Sequence, residues 1–91
     1  MTKKALEDIV VLDLTRVLAG PYCTMMLADY GAKVIKIEMP GKGDDTRSMG
    51  PIKNGASMYY ANVNRGKKGV TLNLKPEEGK KIFKEMVKKA D

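Results

Sequence analysis

Ninety-one residues with a net charge of +6 suit one small domain or a piece of a larger one. The chain has no histidine and one cysteine, Cys23, so a zinc site, a histidine-assisted nucleophile and an internal disulfide are excluded within it. No apolar run approaches the ~20 residues that span a bilayer, and the polar start MTKKALED lacks a secretory h-region, so a cytoplasmic protein without membrane partners is expected.

The first apolar run, Ile9-Val10-Val11-Leu12 followed by Leu14, is short, β-branched and nearly continuous. It predicts a strand buried on both faces, as in a parallel sheet. Gly20 and Pro21 then open a helix over 21–30, with Tyr22, Met25, Met26 and Leu27 as its inner stripe. Gly31 ends it at the C′ position. Lys33-Val34-Ile35-Lys36-Ile37-Glu38 gives a second strand, completing a βαβ unit expected to be right-handed.

Residues 39–56 hold two prolines and four glycines and read as one long loop. A short helix follows over 57–64. Residues 69–74 alternate apolar and polar and predict a third strand. Pro76 opens a second long helix, with Glu77 and Glu78 in its first turn and Lys88 and Lys89 in its last. Ile82, Phe83, Met86, Val87 and Ala90 form its apolar stripe. Three strands and two long helices would leave a bare sheet edge, so a truncated part of a larger domain is expected.

In an open parallel sheet, ligands bind beyond the carboxyl ends of the strands. Residues 15–19, 38–42 and 72–75 converge there. The helix N-terminus at Gly20 and Pro21 favours a phosphate, and Arg16 and Lys75 add charge at the same edge. An anionic, nucleotide-like ligand is the expectation. From Arg65 to Lys89 nine basic residues face three acidic ones with a single aromatic, Phe83, among them; the lysines from Lys80 on read as a solvated helix face, and a small phosphorylated ligand suits the charge better than nucleic acid. A dinucleotide fold is disfavoured, because the turn Arg16-Val17-Leu18-Ala19-Gly20-Pro21 has one glycine where the fingerprint needs three. Glu38 then reads as a strand-end residue set by local hydrogen bonds. Leu72 and Leu74 lie one strand repeat apart and equally suit a core. Lys75 equally suits a solvated site before a helix. Cys23 reads as a buried helix thiol. Arg47 reads as a brace of the long loop through Asp44 or Asp45.

The segment from Val11 to Pro21 (VLDLTRVLAGP) resembles the N-terminal signature of the class III coenzyme A transferases, the formyl-CoA and carnitine-CoA transferase family. So do Leu27 to Glu38 (LADYGAKVIKIE), Gly43-Asp44-Asp45-Thr46-Arg47, Asn64-Arg65-Gly66-Lys67-Lys68, Val70 to Lys75 and Glu78-Gly79, in the expected order. The resemblance implies an α/β fold: the opening part of a Rossmann-like parallel sheet with flanking helices, residues 1–91 being an N-terminal piece of the coenzyme A-binding domain. It implies interlinked homodimers of a longer chain, acting on acyl-CoA and a carboxylic acid, without a metal.

It further implies covalent catalysis by an aspartate that attacks the acyl-CoA thioester to form a mixed anhydride. That aspartate lies beyond the matched stretch, so Asp13, Asp29, Asp44 and Asp45 do not inherit the role. The coenzyme A positions carried over are Arg16, Val17, Leu18 and Ala19 after the first strand, Met39 after the second, and Leu72, Asn73, Leu74 and Lys75 after the third. Met39 departs from the family's basic residue there, though its thioether suits an adenine face. An α-methylacyl-CoA racemase of the same superfamily and a non-catalytic binding module are the alternatives; the isolated chain is expected to lack transferase activity.

Overall fold

A computed structural model describes residues 3–91. In chain order it contains β1 (Val10–Asp13), α1 (Ala19–Asp29), β2 (Lys33–Glu38), a 3-10 turn (Asp45–Ser48), β3 (Ile52–Lys53), β4 (Ala56–Ser57), α2 (Met58–Val63), β5 (Lys68–Thr71) and α3 (Glu77–Val87). β1, β2 and β5 form a parallel sheet in the order β1-β2-β5. The register sets Val10 beside Lys33 and Asp13 beside Lys36 on one side, and Glu38 beside Thr71 on the other. The expected α/β architecture is therefore present.

Burial follows position in the sheet. β2 is central, and Val34 and Ile37 are buried with Met25, Ala32 and Val63 in the apolar core. β1 was expected to be buried on both faces. It lies at an edge, so Val10, Val11 and Leu12 are only half-buried. That edge is met by Asp91, whose backbone N–H donates to the Val10 carbonyl at 2.8 Å while its carboxylate accepts from Val10 N–H at 2.9 Å. β5, on the opposite edge, is exposed along its length and stops at Thr71, three residues before the expected end.

Two helices differ in detail from the sequence reading. α1 begins at Ala19, so Pro21 is its third residue rather than its first. The inward residues are Pro21, Thr24 and Met25, whereas Tyr22 and Met26 face solvent. The 100° step of a helix seats Thr24 beside Met25 and turns Tyr22 and Met26 outward together. Gly31, at φ 106°, ends the helix as expected. α3 is capped by Pro76 and ends at Val87, which places Lys88 at the C-cap and Lys89 beyond the helix. Phe83, Met86 and Ala90 are half-buried, but Ile82 and Val87 remain exposed. Gly79 lies against the loop after β5, where a Cβ would overlap the Asn73 carbonyl oxygen.

The segment 39–56 is not one loop. Beyond the 3-10 turn, β3 and β4 pair antiparallel around Asn54 and Gly55. Both turn residues have positive φ, 52° and 79°, the signature of a two-residue hairpin turn. Ser57 then caps α2: its hydroxyl accepts from Tyr60 N–H at 3.1 Å and donates to the Met49 carbonyl at 2.6 Å.

Candidate functional site

The carboxyl ends of β1, β2 and β5 border one cleft of about 300 Å3. Leu14 and Arg16 supply one lip, Ile37, Glu38 and Met39 the floor, Gly43 and Asp44 the far wall, and Leu72 to Lys75 the other lip. The lining is mostly apolar, with the exposed Arg16 and Lys75 as cations at its edge. An apolar slot edged by cations can hold a flat base and offset the charge of attached phosphates.

Of the sequence-selected positions, Arg16, Met39, Leu72, Asn73, Leu74 and Lys75 line this cleft, and Val17, Leu18 and Ala19 do not. Leu72 and Leu74 are half-buried, as side chains between a core and an open slot would be. The Asn73 side chain accepts from Lys75 N–H at 3.1 Å and so shapes the turn into α3. Leu18 borders a second, more open hollow with Pro51, Met58, Tyr59, Asn62 and Val63. Cys23 is exposed rather than buried, because it follows Tyr22 on the outer side of α1.

Beneath the cleft lies a network of buried charges that the sequence reading did not anticipate. Asp13, at the end of β1, is 1% exposed and accepts from Thr15 N–H at 2.9 Å, from the Thr24 hydroxyl at 2.7 Å and from Lys67 at 2.9 Å. Burial alone would raise its pKa, but these donors hold it below the usual carboxylate range. Lys36, also 1% exposed, pairs with Asp44 and donates to the Asn64 side-chain oxygen at 2.9 Å. The same Asn64 oxygen accepts from Lys67 at 2.8 Å, joining the two lysine–aspartate pairs. Burial works against the Asp44 anion too, yet Lys36, Thr46 and Val17 N–H bring its pKa down to about 2.

Glu38 forms the outer part of this network. Its carboxylate accepts from Arg47 Nε at 2.7 Å and Nη2 at 2.8 Å, from the Tyr60 hydroxyl at 2.6 Å and from Asp44 N–H at 2.9 Å. Arg47 is the leading cause that holds the Glu38 pKa down to about 2. Burial, then the Glu38 carboxylate, pushes the Tyr60 phenol well above its ordinary value. Arg47 therefore braces the long segment through Glu38, not through Asp44 or Asp45. Gly43 permits this contact: it sits at φ 64°, and a Cβ there would strike the Glu38 carboxylate. With Glu38 and Asp44 each neutralised by a cation, the charges of the cleft without an ion-pair partner among the described residues are Arg16 and Lys75. Among the described residues, no group of three or more His, Cys, Asp or Glu side chains converges to hold a metal ion.

A sequence signal for the network existed. Asp13 interrupts Val10-Val11-Leu12-Asp13-Leu14, and Lys36 interrupts Val34-Ile35-Lys36-Ile37. A charge inside an apolar strand is either solvated on an open face or paired when buried, and here both are paired.

Residues 6–91 match the family described as CoA-transferase family III. The chain is 53% identical over 89 residues to an acetyl-CoA:oxalate CoA-transferase of Acetobacter aceti, covering 98% of this chain and 23% of that protein. It is 55% identical over 89 residues to a succinyl-CoA:glutarate CoA-transferase of Homo sapiens, covering 97% and 20% respectively. Among solved structures, a CAIB/BAIF family protein from Brucella suis superimposes with a TM-score of 0.88 at 39% identity, covering 99% of this chain and 25% of that one. A hypothetical protein from Mycobacterium tuberculosis gives a TM-score of 0.87 at 38% identity, covering 98% and 24%. The chain thus spans about a quarter or less of the length of each of these relatives.

Proposed function

The chain belongs to CoA-transferase family III, and from that premise we propose that its cleft is the nucleotide end of a coenzyme A site in a protein that moves coenzyme A between carboxylic acids. The observation that carries this reading is the convergence of three strand ends on one apolar slot edged by Arg16 and Lys75. In this reading Met39, Leu72 and Leu74 pack on the adenine, and Arg16 and Lys75 meet phosphates. Asn73 fixes the turn that presents Lys75. Val17, Leu18 and Ala19 approach the carrier from the β1–α1 turn. Two of the relatives named above are an acetyl-CoA:oxalate and a succinyl-CoA:glutarate CoA-transferase, and that supports a carboxylic acid as acceptor.

The chemical step belongs to an aspartate outside these residues. It attacks the thioester carbonyl, the C–S bond breaks, and coenzyme A thiolate leaves as the mixed anhydride forms. Asp13 and Asp44 are unsuited to that role, being buried against Lys67 and Lys36. Asp29 is held by Arg65 at 2.8 Å. A cytoplasmic homodimer of the longer protein is part of the same proposal, with residues 1–91 as the opening piece of its coenzyme A-binding domain.

The test is titration of the 15N-labelled chain with coenzyme A. Weak binding is expected, with amide shifts confined to residues 14–19, 38–44 and 72–75. The double variant R16A/K75A should bind at least several-fold more weakly, since each removes a phosphate contact. No acyl exchange is expected from this chain alone. Shifts that map to the outer side of α1, or no shifts at ligand concentrations on the order of 10 mM, would refute the reading.

A further inference from the structure

Val17 is a β-branched residue at φ 74°, in the left-handed region that such side chains avoid. A single residue held there is strained and persists only where its surroundings over-determine it. The surroundings here are specific. Val17 N–H donates to Asp44 Oδ1 at 3.2 Å. That same oxygen accepts from Thr46 N–H at 3.0 Å and the Thr46 hydroxyl at 2.9 Å, while the other carboxylate oxygen binds Lys36. The side chains of Asp44 and Lys36 are 0% and 1% exposed. An aspartate in the segment after β2, paired with the buried Lys36 of β2, therefore grips the turn after β1.

The grip lies where the chain changes course. Leu14 and Arg16 line the cleft, and Leu18 lines the second hollow. Residue 17 is where the backbone leaves one for the other. We propose that Asp44 is a positioning residue: through Val17 N–H it holds residue 17 at positive φ, and this fixes Leu14 and Arg16 as an ordered lip of the cleft. The consequence for coenzyme A rests on the function proposed above; the ordering of the lip does not.

The substitutions that separate these are at residue 17, which is 38% exposed and outside the core. Glycine adopts positive φ freely. Proline is locked near −65° and has no N–H to give. V17G should keep backbone order at Leu14 and Arg16. V17P should lower the 15N order parameters of residues 14–16 from about 0.85 towards 0.6, leave β2 unchanged, and weaken coenzyme A at least about tenfold. D44N adds a second arm if it folds: V17G introduced into it should restore part of the lost order and affinity, which a merely structural role for Asp44 would not allow. An ordered lip in V17P overturns the proposal. Loss of order at the lip in V17P upholds it, and if the parent chain also ignores coenzyme A, only the functional reading falls.

Discussion

At the scale of single residues, the molecule turns on two lysines with buried side chains, Lys36 within β2 and Lys67 just before β5. Lys36 is 1% exposed and has Asp44 and Asn64 as partners. Replacing Asp44 by Asn removes the anion and leaves the ammonium buried, a change that typically costs 3–5 kcal/mol. D44N should therefore lower the urea midpoint sharply without changing the denaturant slope. Arg47 offers the contrast. Its side chain is 51% exposed and Glu38 keeps the Tyr60 hydroxyl and Asp44 N–H as donors without it, so R47A should cost less, on the order of 2 kcal/mol. Equal losses for the two variants in urea titrations would show that burial does not control the strength of this network. The same contrast explains what the sequence withheld. An apolar run marks a strand, but it does not say that the charge inside it is buried, nor which distant residue pairs with it. Asp13 meets Lys67 across 54 positions, and no local pattern encodes that.

At the scale of elements, the regular pieces were legible because their periodicity is strong. β2 matches its expected bounds, α2 lies within its expected span, and α1, α3 and β5 shift by one to three residues at their ends. The β3–β4 hairpin was missed although Asn54-Gly55 is the turn such hairpins favour, since two-residue strands are too short to show alternation. The cleft was legible through the strand-end rule, but Val17 to Ala19 fall outside it. No sequence signal announces a valine at positive φ. Two elements carry single contacts that can be tested by thermal unfolding. Ser57 caps α2 and also ties it to Met49, so S57A should cost about 1 kcal/mol. Gly79 lets α3 lie against the Asn73 carbonyl, so G79A must push the helix outward and should cost about 1–3 kcal/mol. Because Gly-to-Ala normally favours a helix interior, a stabilised G79A would show that α3 does not dock there.

At the scale of the whole molecule, the fold is a flat slab, 41 × 34 × 21 Å, with a radius of gyration of 13.9 Å against about 12 Å for a compact chain of this length. Its interior is more polar than apolar. Among the described residues, the buried apolar side chains are Pro21, Met25, Ala32, Val34, Ile37 and Val63, and these are outnumbered by Asp13, Thr24, Lys36, Glu38, Asp44, Thr46, Ser57 and Asn64. Such a body depends on its charge network, and this gives a pH dependence of definite sign. The Glu38 and Asp44 pKa values are lowered from 4.5 and 3.8 to about 2 in the fold. A carboxylate with a depressed folded pKa stabilises above its unfolded pKa, and that contribution fades as pH falls towards the folded value. Stability should be level from pH 7 to about 5, then decline between about pH 4.5 and 2, with each group contributing on the order of 2 kcal/mol. E38Q lacks one of these titrations, so its stability should start lower at neutral pH and fall less steeply in acid. Urea midpoints measured from pH 7 to pH 2.5 check this. Parallel acid profiles for the parent chain and E38Q would mean that Glu38 is not the depressed carboxylate and that the acid sensitivity arises elsewhere in the sheet.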